Sequence, residues 1–239
     1  LQFFYRIINL KKYLKKVKPD IVIAFAQKAN YRALMATAFT KIPVIVSVRT
    51  DPYKAYMGIK NKLLIALLFS RASGNVFQTI GAKEFFSKKI QEKSRIILNP
   101  IHEAYLNMPS AVVRRKAVVQ SGRLVRSKNQ LMLLEAFETV HEAHPEYVLE
   151  LYGDDSGDGT KELLEQFIAD QQASGYIKLM GACNNLEERI ADASIFAFSS
   201  DFEGLPNALM EAMALGLPVI STDCPCGGPA TLIQNEVNG

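Results

Sequence analysis

Asp201-Phe202-Glu203-Gly204-Leu205-Pro206-Asn207-Ala208-Leu209-Met210-Glu211-Ala212-Met213-Ala214-Leu215-Gly216 runs from a strand end through a tight turn into a short helix. Upstream, Ile195-Phe196-Ala197-Phe198 is a short apolar run of strand type. Pro206 suits the first helical position, where a missing N–H costs nothing, and Gly216 suits the C′ position after the last turn. Between Pro206 and Leu215 the only polar side chains are Asn207 and Glu211, four residues apart and therefore on one helical face. The other positions are Ala, Leu and Met all round, as in a buried helix, so Glu211 is a carboxylate in a largely apolar setting and needs a partner. An Arg elsewhere in the core is one such partner. Glu203 points to another, because it stands at the carboxyl end of the strand, where open α/β sheets bind ligands and the next helix offers amides and a positive dipole end. Two carboxylates beside bare amides suit a polyhydroxyl ligand that carries an anion, and a nucleoside-diphosphate sugar has both parts.

Outward from this stretch, helix-type and strand-type segments alternate along the whole chain. Residues 1–17 show apolar positions at helical spacing among lysines, and 21–25 read as a buried strand. Helix over 30–39, strand over 43–48, helix over 60–71, strand over 74–78, helix over 82–90 and strand over 95–98 follow. After a non-periodic stretch at 99–109, expected to be an interdomain linker, strands at 117–120, 147–152, 177–180, 195–198 and 218–221 alternate with helices at 129–144, 161–173, 186–193 and the central one. That rhythm predicts an α/β protein of two Rossmann-like domains, 1–110 and 111–239, each a doubly wound parallel sheet, facing a cleft where ligands sit.

The two halves differ in charge. Residues 1–110 hold 19 Lys and Arg against 5 Asp and Glu, whereas 111–239 hold 9 against 19. A basic first half suggests an anionic partner: membrane headgroups, a polyprenyl-diphosphate acceptor or nucleic acid, with solvated lysines as the plain alternative. No nucleic-acid-binding motif supports the third. Lys11, Lys12, Lys15, Lys16 and Lys18 are the candidates for docking on an anionic surface. No run of 18 apolar residues exists, which predicts no membrane span. Three cysteines, Cys183, Cys224 and Cys226, form neither a disulfide framework nor a zinc ligand set, so a reducing cytoplasm is expected, with peripheral attachment to the inner face of the cell membrane. The chain starts at Leu1 and ends on Gly239 in mid-pattern, and reads as a fragment.

Ser121-Gly122-Arg123 follows the first strand of the second half, and Lys128-Asn129 opens the next helix. Gly lets backbone approach a ligand, while Arg and Lys supply donors and charge for a diphosphate. Asp154-Asp155-Ser156-Gly157-Asp158-Gly159, with Glu165 beyond, nearly has calcium-loop spacing, but a strand precedes it and Lys161 takes the usual apolar place. No Asp-x-Asp pair suggests a metal-bound diphosphate, so no metal and no cofactor are expected. His102, His141 and His144 read as surface or capping residues.

The full stretch 199–221, with Glu203-x7-Glu211 inside it, resembles the E-x7-E motif of family-4 retaining glycosyltransferases, enzymes of the two-domain GT-B fold. Two Glu at that spacing alone are common; the whole stretch is specific, and the resemblance covers nearly the whole chain, strongest over 122–239. It implies transfer of a sugar from a nucleotide donor, UDP-linked, to a hydroxyl of a glycan or lipid-linked acceptor in cell-surface polysaccharide synthesis. In that resemblance Gly122, Arg123 and Lys128 hold the donor diphosphate and Arg123 and Lys128 act in catalysis. Glu203 binds sugar hydroxyls in the catalytic site, Gly204, Leu205, Pro206 and Asn207 border sugar and phosphates, Glu211 accepts from the ribose, and the turn at Gly181 flanks the base. The chain departs from the family in two places. The 154–165 tract replaces a Gly-x-Gly turn, and Ser47-Val48-Arg49-Thr50-Asp51 stands where many relatives carry an active-site His, making Arg49 and Asp51 acceptor-side candidates. A catalytically weak sugar-nucleotide-binding scaffold, or a GT-B epimerase or phosphorylase, are the alternatives on the same fold.

Overall fold

Helix and strand alternate throughout the computed structural model, which describes residues 2–238, and the chain separates into two units. The first holds residues 2–99 together with Glu203–Leu205 and Pro225–Gly228. Its elements are α1 (Gln2–Val17), β1 (Val22–Phe25), α2 (Gln27–Ala36), β2 (Val44–Ser47), α3 (Pro52–Ala55), α4 (Ile59–Leu68), β3 (Gly74–Phe77), α5 (Ile80–Glu84), α6 (Lys88–Glu92) and β4 (Ser94–Ile96). All pairings are parallel, in the order β1-β2-β3-β4. Val44, Val46 and Phe77 project into one core with Phe69, Tyr56 and Phe86, and the Phe77 and Phe86 rings stack at 4.8 Å.

Three expectations for this unit change. The 21–25 run, read as a buried strand, pairs among the described residues with β2 alone, and Ile23 and Phe25 are 56% and 52% exposed. The single helix expected over 82–90 is two, because Thr79 Oγ1 caps Ala82 N–H at 3.0 Å and Ser87 starts a second helix. The helix expected to run to Arg71 ends at Leu68 and tightens into a 3₁₀ turn, Phe69–Arg71.

The second unit opens at Pro100. It carries α7 (Glu103–Leu106), β5 (Arg115–Ser121), α8 (Gln130–Ala143), β6 (Val148–Tyr152), α9 (Thr160–Asp170), β7 (Ile177–Gly181), α10 (Leu186–Ile190), β8 (Ala193–Phe198), α11 (Asn207–Ala214) and β9 (Val219–Ser221), with α12 (Gly228–Leu232) last in the chain. The stretch expected as a linker therefore contains a helix. His102 Nδ1 caps it by accepting from Ala104 N–H at 3.2 Å, and Tyr105 on it is buried in the second unit's core. The parallel sheet runs β7-β6-β5-β8-β9, with β5 at the centre and the chain leaving it first to one side, then to the other. Along β5, Ala117 and Val119 enter one cluster with Phe196, Phe198 and Leu209, and Val118 enters the opposite one with Leu134, Leu149 and Leu164. Both faces are covered, as a continuous apolar strand requires.

The central helix α11 buries Leu209 and Ala212 completely. Burying a Leu side chain contributes about 1.5–3 kcal/mol, which fixes the helix on the sheet. Its C-terminus meets expectation: Gly216 has φ 68°, Gly216 N–H donates to Met213 O at 3.0 Å and Leu217 N–H to Ala212 O at 3.1 Å, a Schellman closure. Its N-terminus shifts by one residue. Pro206 is the cap, with φ −77° and ψ 110°, and Asn207 is the first helical residue, since ψ there is extended rather than helical.

Candidate functional site

The carboxyl ends of β5, β6 and β7 and the first turn of α11 border a cavity of about 320 Å³ within the second unit. Gly122 and Arg123 reach it from β5, Tyr152 and Asp154 from β6, and Asn207 and Glu211 from α11. This is the ligand position expected for an open parallel sheet whose chain reverses direction beside its central strand. Asn207 and Glu211 do share one face, and that face is the cavity wall.

Close backbone contact shapes the floor. Gly122 N–H donates to Tyr152 O at 2.9 Å and Gly153 N–H to Gly181 O at 2.9 Å, which ties the three strand ends together. Gly153 has φ 155°, and a Cβ there would lie 1.9 Å from Gly122 O, so no side chain fits. Gly181 thus serves as a backbone acceptor, and its neighbour Ala182 lines the cavity.

Residues 122–130 are pinned by side chains to which the sequence alone assigns no such role. Gln120 Nε2 donates to Ser199 Oγ at 2.7 Å, and Ser199 Oγ donates to Lys128 O at 2.8 Å. Gln130, 1% exposed, donates to Arg123 O at 2.9 Å. Asn129, held left-handed at φ 47°, donates to Asp201 Oδ1 at 2.7 Å, and Asp201 N–H donates to Ser127 O at 3.0 Å. Each bond from a buried amide or hydroxyl contributes about 1 kcal/mol net, and a buried donor left unpaired costs more. The result is a fixed loop that carries the exposed Arg123 guanidinium and the half-buried Lys128, whose ammonium lies 5.2 Å from the Phe198 ring centroid.

The 154–165 tract is anchored to the same loop. Asp158 Oδ2 accepts from Arg126 N–H at 3.0 Å and Oδ1 from Thr160 N–H at 3.2 Å, while Asp155 Oδ1 accepts from Gly157 N–H at 2.8 Å. The amide of Arg126 is the main reason the Asp158 carboxyl is lowered to about 2. These carboxylate oxygens are bound to backbone amides.

Glu211 does have a partner, but not the Arg first considered. The Tyr105 hydroxyl donates to its carboxylate, with α7 packed against α11. Burial raises the Glu211 carboxyl above its ordinary value, the Tyr105 bond and the nearby His102 oppose that rise, and Glu187 adds to it. Tyr105 itself is raised, first by burial and then by the charge of Glu211. The sequence offered one weak signal for Tyr105: a large aromatic residue inside a stretch otherwise read as linker.

The other expected site residues do not line this cavity. Glu203, Gly204 and Leu205 group with the first unit. A Cβ on Gly204 would lie 3.0 Å from Thr50 Cα, so a side chain there would crowd the backbone of residues 49 and 50. Leu205 O accepts from Asn99 Nδ2 at 3.4 Å, and Pro206 is buried. Arg49 bonds to Asn99 and lies 5.5 Å over the Phe25 ring. Asp51, taken as an acceptor-side candidate, is fully buried and caps α3 by accepting from Tyr53 N–H at 2.8 Å. His141 stacks on Tyr176 at 3.6 Å, a structural role.

A family model described as glycosyl transferases group 1 matches residues 115–239, more than half of the chain. Among curated proteins the chain is 28% identical to an uncharacterized glycosyltransferase of Methanocaldococcus jannaschii, over 98% of the chain and 62% of that protein. It is 27% identical to the N-acetylgalactosamine-N,N'-diacetylbacillosaminyl-diphospho-undecaprenol 4-alpha-N-acetylgalactosaminyltransferase of Campylobacter jejuni, over 92% of the chain and 62% of that protein. It thus spans about three fifths of the length of these relatives. Among solved structures, HepE of Anabaena in complex with UDP matches with a TM-score of 0.83 at 20% identity, covering 98% of this chain and 66% of that one. The pneumococcal O-GlcNAc transferase GtfA in complex with UDP and GlcNAc matches with a TM-score of 0.72 at 22% identity, covering 96% and 47%. With two parallel sheets, a pinned Gly122-Arg123 loop and the E-x7-E stretch in place, the chain has the GT-B fold and belongs to the glycosyl transferases group 1 family.

Proposed function

We propose that the protein is a retaining glycosyltransferase that moves a sugar from a UDP-linked donor to a hydroxyl of a glycan or lipid-linked acceptor in cell-surface polysaccharide synthesis. The observation that carries this reading is the second unit's cavity, where Gly122, Arg123, Asn207 and Glu211 meet at the carboxyl ends of the strands. Family membership supports it, as do the UDP bound by HepE and the diphospho-undecaprenol acceptor in the Campylobacter enzyme's name.

Glycosyl transfer builds an oxocarbenium-like centre beside a leaving diphosphate. Arg123 and Lys128 stabilise the charge that develops there, and because their loop is pinned by Gln120, Ser199 and Gln130, little reorganisation is needed during the step. Glu211 accepts from the ribose hydroxyls. Glu203 takes the sugar hydroxyls, with amides of residues 204–207 alongside. The first bond of α11 runs from Met210 N–H to Pro206 O at 3.3 Å, so earlier amides lie outside the helix ladder, as an anion-binding N-terminus requires. No metal and no cofactor take part in this proposal. Arg49 remains the acceptor-side candidate. Among the described residues no helix is long and apolar enough to cross a membrane, and the proposed place of action is the cytoplasmic face of the cell membrane.

Two tests apply. Arg123→Ala and Lys128→Ala should each weaken UDP binding by about 1.5–3 kcal/mol, the worth of a charge-assisted bond, with exposed Arg123 at the lower end. Calorimetric affinities unchanged by both substitutions would remove the donor-site assignment. Turnover of the UDP-sugar should also persist in EDTA; activity lost there and restored by magnesium or manganese would contradict metal-free stabilisation of the leaving group.

A further inference from the structure

Arg115, at the start of β5, joins a second strand and a helix. Its guanidinium donates to both carboxylate oxygens of Glu150 on β6, Nη1 to Oε1 at 2.6 Å and Nη2 to Oε2 at 2.9 Å, and its Nε donates to Asp192 Oδ1 at 2.9 Å. Nη2 also donates to Arg189 O, on α10, at 2.9 Å. The Arg115 and Glu150 side chains are 31% and 13% exposed, so this two-point pair is partly desolvated. A pair of this kind adds little net stability over an apolar one, and its effect lies in what it holds in place.

What it holds is one border of the donor cavity. Tyr152 lies two residues after Glu150, on the same face of β6, and its hydroxyl donates to Glu150 Oε2 at 2.8 Å while its ring, in a residue 6% exposed, borders the cavity. Burial and then the Glu150 bond raise this phenol to about 12, so the hydroxyl keeps its proton and the tether holds at ordinary pH. Through Arg189 O the same guanidinium holds α10, whose Leu186 lines the cavity and packs against the core cluster that contains Tyr152. Tyr152, Ala182, Cys183 and Leu186 give the lining an uncharged, partly aromatic border, in contrast to Arg123 and Asp154. Such a border suits the flat face of a nucleobase better than a phosphate. The cavity, about 320 Å³, also stands at the low end of the range for small-molecule sites, about 300–1,000 Å³, which favours one ring over two. We propose that Tyr152 is a specificity-determining residue of the donor cavity: its tethered ring limits the nucleotide to a one-ring base, and Arg115 and Glu150 are the residues that position it. This inference rests on the nucleotide-donor reading above.

Calorimetric titration of the full chain with UDP and with ADP tests it, because the two ligands share ribose and diphosphate and differ in the base alone. The wild type should favour UDP at least about tenfold. Tyr152→Leu removes the ring and opens the base side, and should bring the two affinities to within about threefold of each other. Tyr152→Phe keeps the ring and removes the tether, while Arg115→Lys replaces a two-point pair by a point charge; each should lower the preference for UDP at least about threefold. A network with a structural role alone would lower the urea unfolding midpoint and leave the UDP-to-ADP ratio at its wild-type value in all three variants, and that result would overturn the proposal. So would a wild type that binds ADP as tightly as UDP. If Arg115→Lys does not fold, Tyr152→Phe, which loses one hydroxyl, decides whether the tether matters. A wild type that binds neither nucleotide overturns the donor reading and this inference with it, whereas one that binds UDP with a ratio indifferent to residue 152 overturns this inference alone.

Discussion

Gly153→Ala should destabilise the second unit by about 2–6 kcal/mol, through about 1–3 kcal/mol of backbone strain and about 1–3 kcal/mol of steric overlap. The residue sits at φ 155°, and the added methyl would lie 1.9 Å from Gly122 O and 2.6 Å from Gly122 C. Neither atom can swing aside as a side-chain tip could, because the Gly122 amide is bonded to Tyr152 O at 2.9 Å and Gln130 holds Arg123 O at 2.9 Å. Relief requires the ends of β5 and β6 to separate, which moves Arg123 and opens the cavity floor. Against a typical domain stability of about 5–15 kcal/mol the loss is large. Gly157→Ala is the internal comparison: φ is 71°, nothing lies within 4 Å of the added carbon, and the cost is the left-handed backbone alone, about 1–2 kcal/mol. Equilibrium urea unfolding followed by circular dichroism separates the two. Wild-type stability in Gly153→Ala, or equal losses in both, would show that the Gly122 contact does not govern this floor.

The fold and one wall of the site were legible in the sequence for the same reason. Apolar periodicity around Asn207 and Glu211 specifies which face of α11 is polar, and Gly216 marks where the helix stops; both are local properties of a short segment. What depends on pairing between distant segments was not legible. Nothing near Gln120 or Ser199 says that Val119 pairs with Phe196, yet that register brings Gln120 to Ser199 and Ser199 to the Lys128 carbonyl. A run of apolar residues such as 21–25 reads the same in a central strand and at an edge, and the sheet order among the described residues leaves Ile23 exposed. Asp51 became an acceptor-side candidate only because the 47–51 segment stands where many relatives carry an active-site His, whereas Pro52 one residue later marks it as a helix cap. Tyr105 shows the limit most plainly, since its segment lacks periodicity and its partner, Glu211, lies far along the chain.

That pair carries the second large effect. Burial raises the Glu211 carboxyl above its ordinary value. A raised carboxyl binds its proton more tightly folded than unfolded, so its contribution to stability is present at low pH and is lost as pH rises through the folded value. In its ionised form Glu211 is therefore under-compensated, with Tyr105 supplying part of what water supplied in the unfolded chain. Ribose hydroxyls donating to the ionised carboxylate would supply the rest. Glu211→Gln should then weaken UDP by about 1.5–3 kcal/mol, roughly tenfold to a hundredfold. The affinity of the wild type should fall as pH drops through the raised Glu211 value, because protonation removes the acceptor. UDP's own terminal phosphate also titrates near pH 6, so the part of the acid limb that survives in Glu211→Gln belongs to the ligand and the part that vanishes belongs to Glu211. Tyr105→Phe removes a bond to the ionised form and so raises the carboxyl further, which should shift the Glu211 limb to higher pH at about 1 kcal/mol of lost affinity. A purely structural tyrosine would change stability and leave the limb in place. Superimposable pH profiles for wild type and Tyr105→Phe would exclude Tyr105 as the residue that tunes Glu211, and superimposable profiles for wild type and Glu211→Gln would exclude Glu211 from the nucleotide's contacts.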